Sequence, residues 1–226
     1  MTRLVIDDVS HAFGERRVLR DISLVITEQR VGIVGGNGSG KSTLARMLNG
    51  LVLPSTGRVT VDGLDTRRDG GKIRRRVGFV FTDPDAQIVM PTVAEDVAFS
   101  LRRAHLSREE LADRVTKALE RVGLAGHADH PAHLLSGGQK QLLAITSVLV
   151  TSPEVLVCDE PTTLLDARNS RQVTHLLAGL PQQVLVVTHH LRLLEEFDRV
   201  IVLDEGRVVA DDVPQAALTR YRALIG

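Results

Sequence analysis

Gly35-Gly36-Asn37-Gly38-Ser39-Gly40-Lys41-Ser42-Thr43 decides the fold of this chain. It fits the phosphate-binding loop pattern: a glycine, four residues, then Gly-Lys-Ser. The apolar run Val31-Gly32-Ile33-Val34 before it reads as a buried strand, and Leu44-Ala45-Arg46-Met47-Leu48 after it reads as helix. Strand, loop and helix together are the context the motif needs. Glycines let successive backbone N–H groups turn inward around an anion, and the following helix aims its positive end at the same point. In that geometry Lys41 reaches the β- and γ-phosphates and the Ser42 hydroxyl holds Mg²⁺.

Outward from the loop, residues 3–9 and 18–26 read as strands separated by a turn around Gly14. Residues 58–63 and 76–81 are further strands. From about 93 to 151 the signals are helical, with a capping-box pattern at Ser107-Arg108-Glu109-Glu110 and a second helix running from Ser136 to about Val150. Strand 153–159, helix 166–179, strand 184–188, helix 190–196, strands 199–203 and 207–210 and a short helical tail complete the chain. Alternation of strands and helices predicts an α/β fold, a mostly parallel sheet with helices on both faces. It carries an N-terminal antiparallel β subdomain and an inserted α-helical subdomain. One domain spans 1–226, with 1–83 and 152–226 forming the nucleotide-binding core and 84–151 the helical subdomain.

Composition excludes several classes. Lys plus Arg and Asp plus Glu each number 28, which removes any global electrostatic argument for nucleic acid. The single cysteine, Cys158, forbids an intrachain disulfide and fits a cytosolic setting. Acidic residues interrupt the N-terminus too early for a signal peptide, and no apolar run is long enough to span a membrane. A protein of this kind working at a membrane needs another chain for the membrane part.

Ligands of parallel sheets bind at the carboxyl ends of the strands. Asp159 and Glu160 close the apolar run Val155-Leu156-Val157-Cys158. An acid in that position organises Mg²⁺, so Asp159 is the metal-side carboxylate and Glu160 is placed to polarise a water for in-line attack. His189 follows another core strand, where a neutral imidazole can hydrogen-bond the γ-phosphate and orient that water. Leu135-Ser136-Gly137-Gly138-Gln139 is a second anion-binding helix start, with Ser136 as cap and two glycines exposing the first N–H groups. One molecule needs one triphosphate cradle, so the second makes sense facing the nucleotide of another copy.

Taken together and in this order, Gly35–Ser42, Leu135–Gln139, Val155–Glu160 and Thr188-His189 resemble the ATP-binding cassette ATPases over essentially the whole chain. The resemblance implies ATP and Mg²⁺ as cofactors and a head-to-tail dimer, homomeric or with a paralogue. Each ATP is then sandwiched between one subunit's Gly35, Asn37, Gly38, Ser39, Gly40, Lys41, Ser42 and Thr43 and the other's Ser136, Gly137, Gly138 and Gln139. It also implies Phe13 as the aromatic stacked on adenine, and Leu164-Leu165-Asp166 as the loop communicating between sites. One position departs from the pattern. After strand 76–81 the family carries a glutamine that touches Mg²⁺ and the attacking water; this chain has Thr82, whose hydroxyl can still ligate water or metal on a shorter side chain. Gln87, five residues on, is expected on the partner-facing surface.

Asp83-Pro84-Asp85-Ala86-Gln87 with Thr92–Phe99 is similar to the ATPases of energy-coupling factor importers. Those take up vitamins or transition metals with a transmembrane coupling protein and a small substrate-binding membrane protein. That implies the cytoplasmic face of a prokaryotic membrane. The short length resembles the dedicated biotin, cobalt or nickel modules, biotin first. Other transporter ATPases, non-transport members of the family, a small-molecule kinase and a catalytically weak subunit are the alternatives. His127-Ala128-Asp129-His130-Pro131-Ala132-His133 reads as a polar surface loop rather than a metal site, and Lys72–Arg76 as a solvated turn.

Overall fold

A computed structural model describes all 226 residues. In chain order the first elements are β1 (Leu4–Phe13), β2 (Arg16–Ile26), β3 (Arg30–Gly35), α1 (Lys41–Met47), β4 (Thr56–Val61), β5 (Leu64–Asp65), α2 (Gly70–Arg76) and β6 (Val77–Val80). There follow α3 (Val93–Ser100), α4 (Arg108–Arg121), α5 (Gly137–Leu149), β7 (Val155–Asp159) and α6 (Ala167–Ala178). The chain closes with β8 (Gln183–Val187), β9 (Arg199–Asp204), β10 (Arg207–Asp212) and α7 (Pro214–Ile225). Two compact units result: Met1–Phe79 with Glu154–Glu160 and Leu180–Gly226, and Val80–Pro153 with Pro161–Gly179.

The first unit holds two sheets. One is antiparallel, in the order β2-β1-β4-β5; the other runs β10-β9-β3-β8-β7-β6. In the second sheet β3 pairs in parallel with β8 and β9, and β7 with β8, while β10 turns back antiparallel on β9. Every residue of β7 and β8, and all but the first of β3, is buried. That is why these strands read as unbroken apolar runs: a parallel sheet is covered on both faces, and no position along it can be polar without a partner. In β1 the register slips between Ile6 and Val9 and again before His11, with Asp8 at a φ of 50°, so its outer end twists away from a regular ladder.

The second unit is helical, and its helix starts are fixed locally. Thr92 with Glu95, Ser107 with Glu110 and Ser136 with Gln139 each form a reciprocal capping box. Asp96, almost fully buried, ties the entry to α3 onto α5: its carboxylate accepts from the Val89 and Met90 N–H groups at 2.9 and 3.2 Å and from Ser147 Oγ at 2.8 Å.

Two local expectations need correction. Lys72–Arg76 belongs to the helix α2 rather than a turn, because Ile73 is fully buried and anchors it while Lys72, Arg74 and Arg75 stay in solvent. The helix expected at 190–196 is only a 3₁₀ turn, Leu191–Leu194; one apolar side chain, Leu194, is buried there, and the acidic Glu195-Glu196 that follow offer no second buried position. Gln87, half-buried, braces its own turn: its Oε1 accepts from Phe81 N at 3.1 Å and its Nε2 donates to Ala144 O at 3.0 Å.

Candidate nucleotide site

The Gly35–Lys41 loop leaves β3 and closes into α1. Gly40 sits at a φ of 101°, and a Cβ there would stand 2.6 Å from Leu19 Cδ2 and 2.7 Å from Val18 O. Both the backbone angle and the close approach of β2 therefore require glycine. The Lys41 ammonium is buried and donates to Gly35 O and Gly36 O, both at 2.9 Å, which folds the loop around its own lysine. Burial pulls its pKa below the usual lysine range, against the opposing pull of Glu160 and Asp159. The Ser39 hydroxyl is buried without a partner. Asn37 and Gly38 are exposed at the tip.

Asp159 ends β7 beneath this loop. Its Oδ1 accepts from Ser42 Oγ at 2.7 Å, and its Oδ2 faces Arg46 NH2 at 3.4 Å. Burial raises its carboxyl above the ordinary range; the Ser42 hydrogen bond and Arg46 oppose that. A hydroxyl and a carboxylate oxygen in contact are a hard donor pair of the kind that suits Mg²⁺, which takes few protein ligands and completes its shell with phosphate and water. Glu160, next along, has a φ of 53°, and its N–H bonds Val187 O at 2.9 Å. This left-handed step re-aims its side chain toward the end of β8. There its Oε2 lies 2.9 Å from His189 Nδ1. His190 stacks edge-on to His189 at 4.3 Å, and Thr188 N donates to Ile33 O at 3.1 Å, locking the β8 end to β3.

Phe13, at the tip of β1, is 56% exposed although aromatic. It lines a cavity of about 270 Å³ together with Arg16, Val18, Gly38, Lys41 and Thr43. Thus five expected elements meet in the first unit: Phe13, the glycine loop, Ser42–Asp159, Glu160 and His189. Arg16, Val18 and Arg46 join them without having been anticipated. Arg16 could not be told from its neighbour Arg17 by sequence, since both are arginines on one strand; Arg46 stands four residues past Ser42, on the same face of α1, a spacing that could have pointed to it.

The second unit carries the remaining candidates. Ser136 and Gly137 are exposed at the start of α5. Gly138 is not: it is buried, and a Cβ there would stand 2.5 Å from Asn169 Oδ1. The second glycine serves packing against α6. Asn169 is held in turn by Asp166, which caps α6 by accepting from Asn169 N at 2.8 Å and from Asn169 Nδ2 at 3.0 Å. Gln139 returns a bond to Ser136 N at 2.9 Å, and its Nε2 lies 3.2 Å from His127 Nε2. Thr82 is half-buried on the turn after β6. No helix of the chain is long and apolar enough to cross a membrane.

The family profile described as ABC transporter matches residues 19–163. The chain belongs to this family. It is an ATP-binding, ATP-hydrolysing subunit, and its fold is that of the P-loop ATPases of these transporters. A putative ABC transporter ATP-binding protein of Deinococcus radiodurans is 56% identical over 95% of both chains. The biotin transport ATP-binding protein BioM of Rhizobium etli is 46% identical over 94% of this chain and 95% of its own. The energy-coupling factor transporter ATP-binding protein EcfA1 of Caldanaerobacter subterraneus is 42% identical over 92% and 77%. The solved structure of cbiO1 from Clostridium perfringens, part of the ABC transporter complex cbiONQ, superposes with a TM-score of 0.84 at 33% identity, covering 98% of this chain and 92% of that one.

Proposed function

We propose that this ABC ATPase energises an energy-coupling factor importer, with biotin as the transported substrate. The observation that carries the substrate is the likeness to BioM along nearly the full length of both chains. In this reading the chain sits on the cytoplasmic face of the membrane. It pairs head-to-tail with a second ATPase subunit and contacts a transmembrane coupling protein and a small substrate-binding membrane protein.

At the site, Phe13 stacks on adenine, and the loop from Gly35 to Thr43 wraps the phosphates. Lys41 exchanges its Gly35 and Gly36 carbonyls for phosphate oxygens, trading two neutral acceptors for charged ones. Ser42 and Asp159 would hold Mg²⁺, which when bound supplies positive charge against the phosphates. The Thr82 hydroxyl is the candidate to ligate water or metal in place of the family's glutamine, and Ser136, Gly137, Gly138 and Gln139 of the second subunit would close over the γ-phosphate. Glu160 polarises the attacking water.

His189 and Glu160 are engaged with each other in this structure. With Nδ1–H donated to Glu160, a neutral ring leaves only a lone pair on Nε2, which repels a phosphate oxygen. A neutral ring bonds the γ-phosphate only after its proton moves to Nε2 and the Glu160 contact is given up, whereas an imidazolium donates to both at once.

Affinity purification of the tagged chain from detergent-solubilised membranes, with mass spectrometry of what accompanies it, tests the assembly. Recovery of a coupling protein and a small membrane protein that binds labelled biotin is expected. Recovery of large two-domain permeases instead would overturn the reading.

A further inference from the structure

A second cavity, beside the antiparallel sheet, lies outside the nucleotide site. It measures about 370 Å³, against about 270 Å³ beside the phosphate loop. Arg17 and Arg20 from β2, Arg207 from β10, Asp21, His11 and Ser55 border it. Three arginines and one carboxylate share its border. Asp21 is already engaged, with Oδ2 on Arg207 at 3.0 Å and Oδ1 accepting from Ser10 Oγ at 3.1 Å. The Arg17 and Arg20 side chains have no hydrogen-bond or ion-pair partner. In a chain whose charges otherwise balance, two unpaired arginines beside one cavity form a local excess of positive charge. The third arginine is brought in by the backbone: Arg20 N donates to Gly206 O at 2.8 Å, pinning the turn that carries Arg207 against β2.

His11 supplies the polar floor. Its Nδ1 lies 3.2 Å from Ser55 Oγ, and its Nε2 is buried without a partner. Burial holds its pKa below the usual range, so the ring adds no charge of its own beside the arginines.

We propose that this cavity is a second binding site, taking a small molecule that carries a phosphate group. The excess charge of the three arginines over Asp21 matches a phosphate, which is close to a dianion at neutral pH. The planar forks of Arg17 and Arg20 suit its oxygens. The volume accommodates a phosphorylated metabolite as readily as free phosphate.

The site also has a route to the nucleotide. The His11 ring meets the Phe13 ring edge-on, centroids 4.6 Å apart and planes at 89°. A ligand that moves His11 moves Phe13. This relay, unlike the anion site itself, rests on Phe13 being the adenine platform.

The test is an NMR titration of the full chain with labelled histidine and phenylalanine rings. Saturating ADP is added first, so that the phosphate loop is closed to the probes. Inorganic phosphate and glycerol phosphate are then added separately, with succinate and chloride at matched ionic strength as controls. Saturable movement of the His11 signals with either phosphate probe is expected; the stronger of the two identifies free or esterified phosphate as the source. Replacing both arginines (Arg17→Ala with Arg20→Ala) should weaken this binding by roughly tenfold or more, since each removes a charge-assisted pair. The same variant should keep the Phe13 response to ADP. No saturable movement, equal movement with succinate or chloride, or movement unchanged in the double variant would overturn the site. Saturable binding that leaves the Phe13 ring signals unmoved would overturn the relay alone. A Phe13 signal blind to ADP would instead sink its role as the adenine platform.

Discussion

Cys158 shows how far a single environment can silence chemistry. It is fully buried in β7, and burial, with Asp159 next to it, pushes its thiol far above the ordinary cysteine range. Burial therefore disfavours the nucleophilic thiolate in the folded protein. Folded protein at pH 8 should resist iodoacetamide over hours and label fully in denaturant; rapid labelling of folded protein would show that β7 opens locally. At Thr82 the argument runs through reach. Threonine lacks about two heavy atoms that glutamine would extend toward metal and water. Thr82→Gln should raise ATP turnover in the assembled transporter by a few-fold, and an unchanged rate would mean that the hydroxyl already performs that task. Glu160→Gln removes the carboxylate that polarises water, so hydrolysis should fall by roughly 10²–10⁴.

At the scale of elements, the starts of α5 and α6 form one mechanical unit. Gly138 lets Asn169 approach α5, and Asp166 holds Asn169 by two bonds. A methyl at 138 must displace Asn169 or strain both helices. Gly138→Ala should destabilise the chain by about 1–3 kcal/mol, the usual scale of overpacking, as read by urea unfolding. Adding Asn169→Ala should recover most of that loss, because it removes the atoms that collide. Equal stability of wild type and Gly138→Ala would show that Asn169 yields freely. Through this contact the loop at Asp166 and the signature glycines cannot shift independently.

For the whole molecule, the prediction concerns association. The Glu160→Gln chain binds ATP but does not consume it. With saturating MgATP it should elute as a dimer on gel filtration, and return to monomer when ADP replaces ATP. A monomer under both conditions would mean that the membrane partner is needed to bring two copies together.

The sequence alone determined the parts whose physics is local. The phosphate loop is contiguous, and its glycines, lysine and serine act within nine residues. The capping boxes close over three residues, and the buried parallel strands announce themselves by unbroken apolar runs that end on Asp159, Glu160 and Thr188-His189. Only the tertiary structure decided which side chains meet. Ser42 reaches Asp159 across 117 residues of chain, and Arg46, one helical turn further along α1, comes to the same carboxylate. His189 is found occupied with Glu160, Gly138 packed on Asn169, Gln87 turned inward, and His11 leaning on Phe13. Local sequence fixes backbone conformation and the supply of donors and acceptors. Pairing between distant side chains depends on strand order and register, which emerge only when the whole core packs.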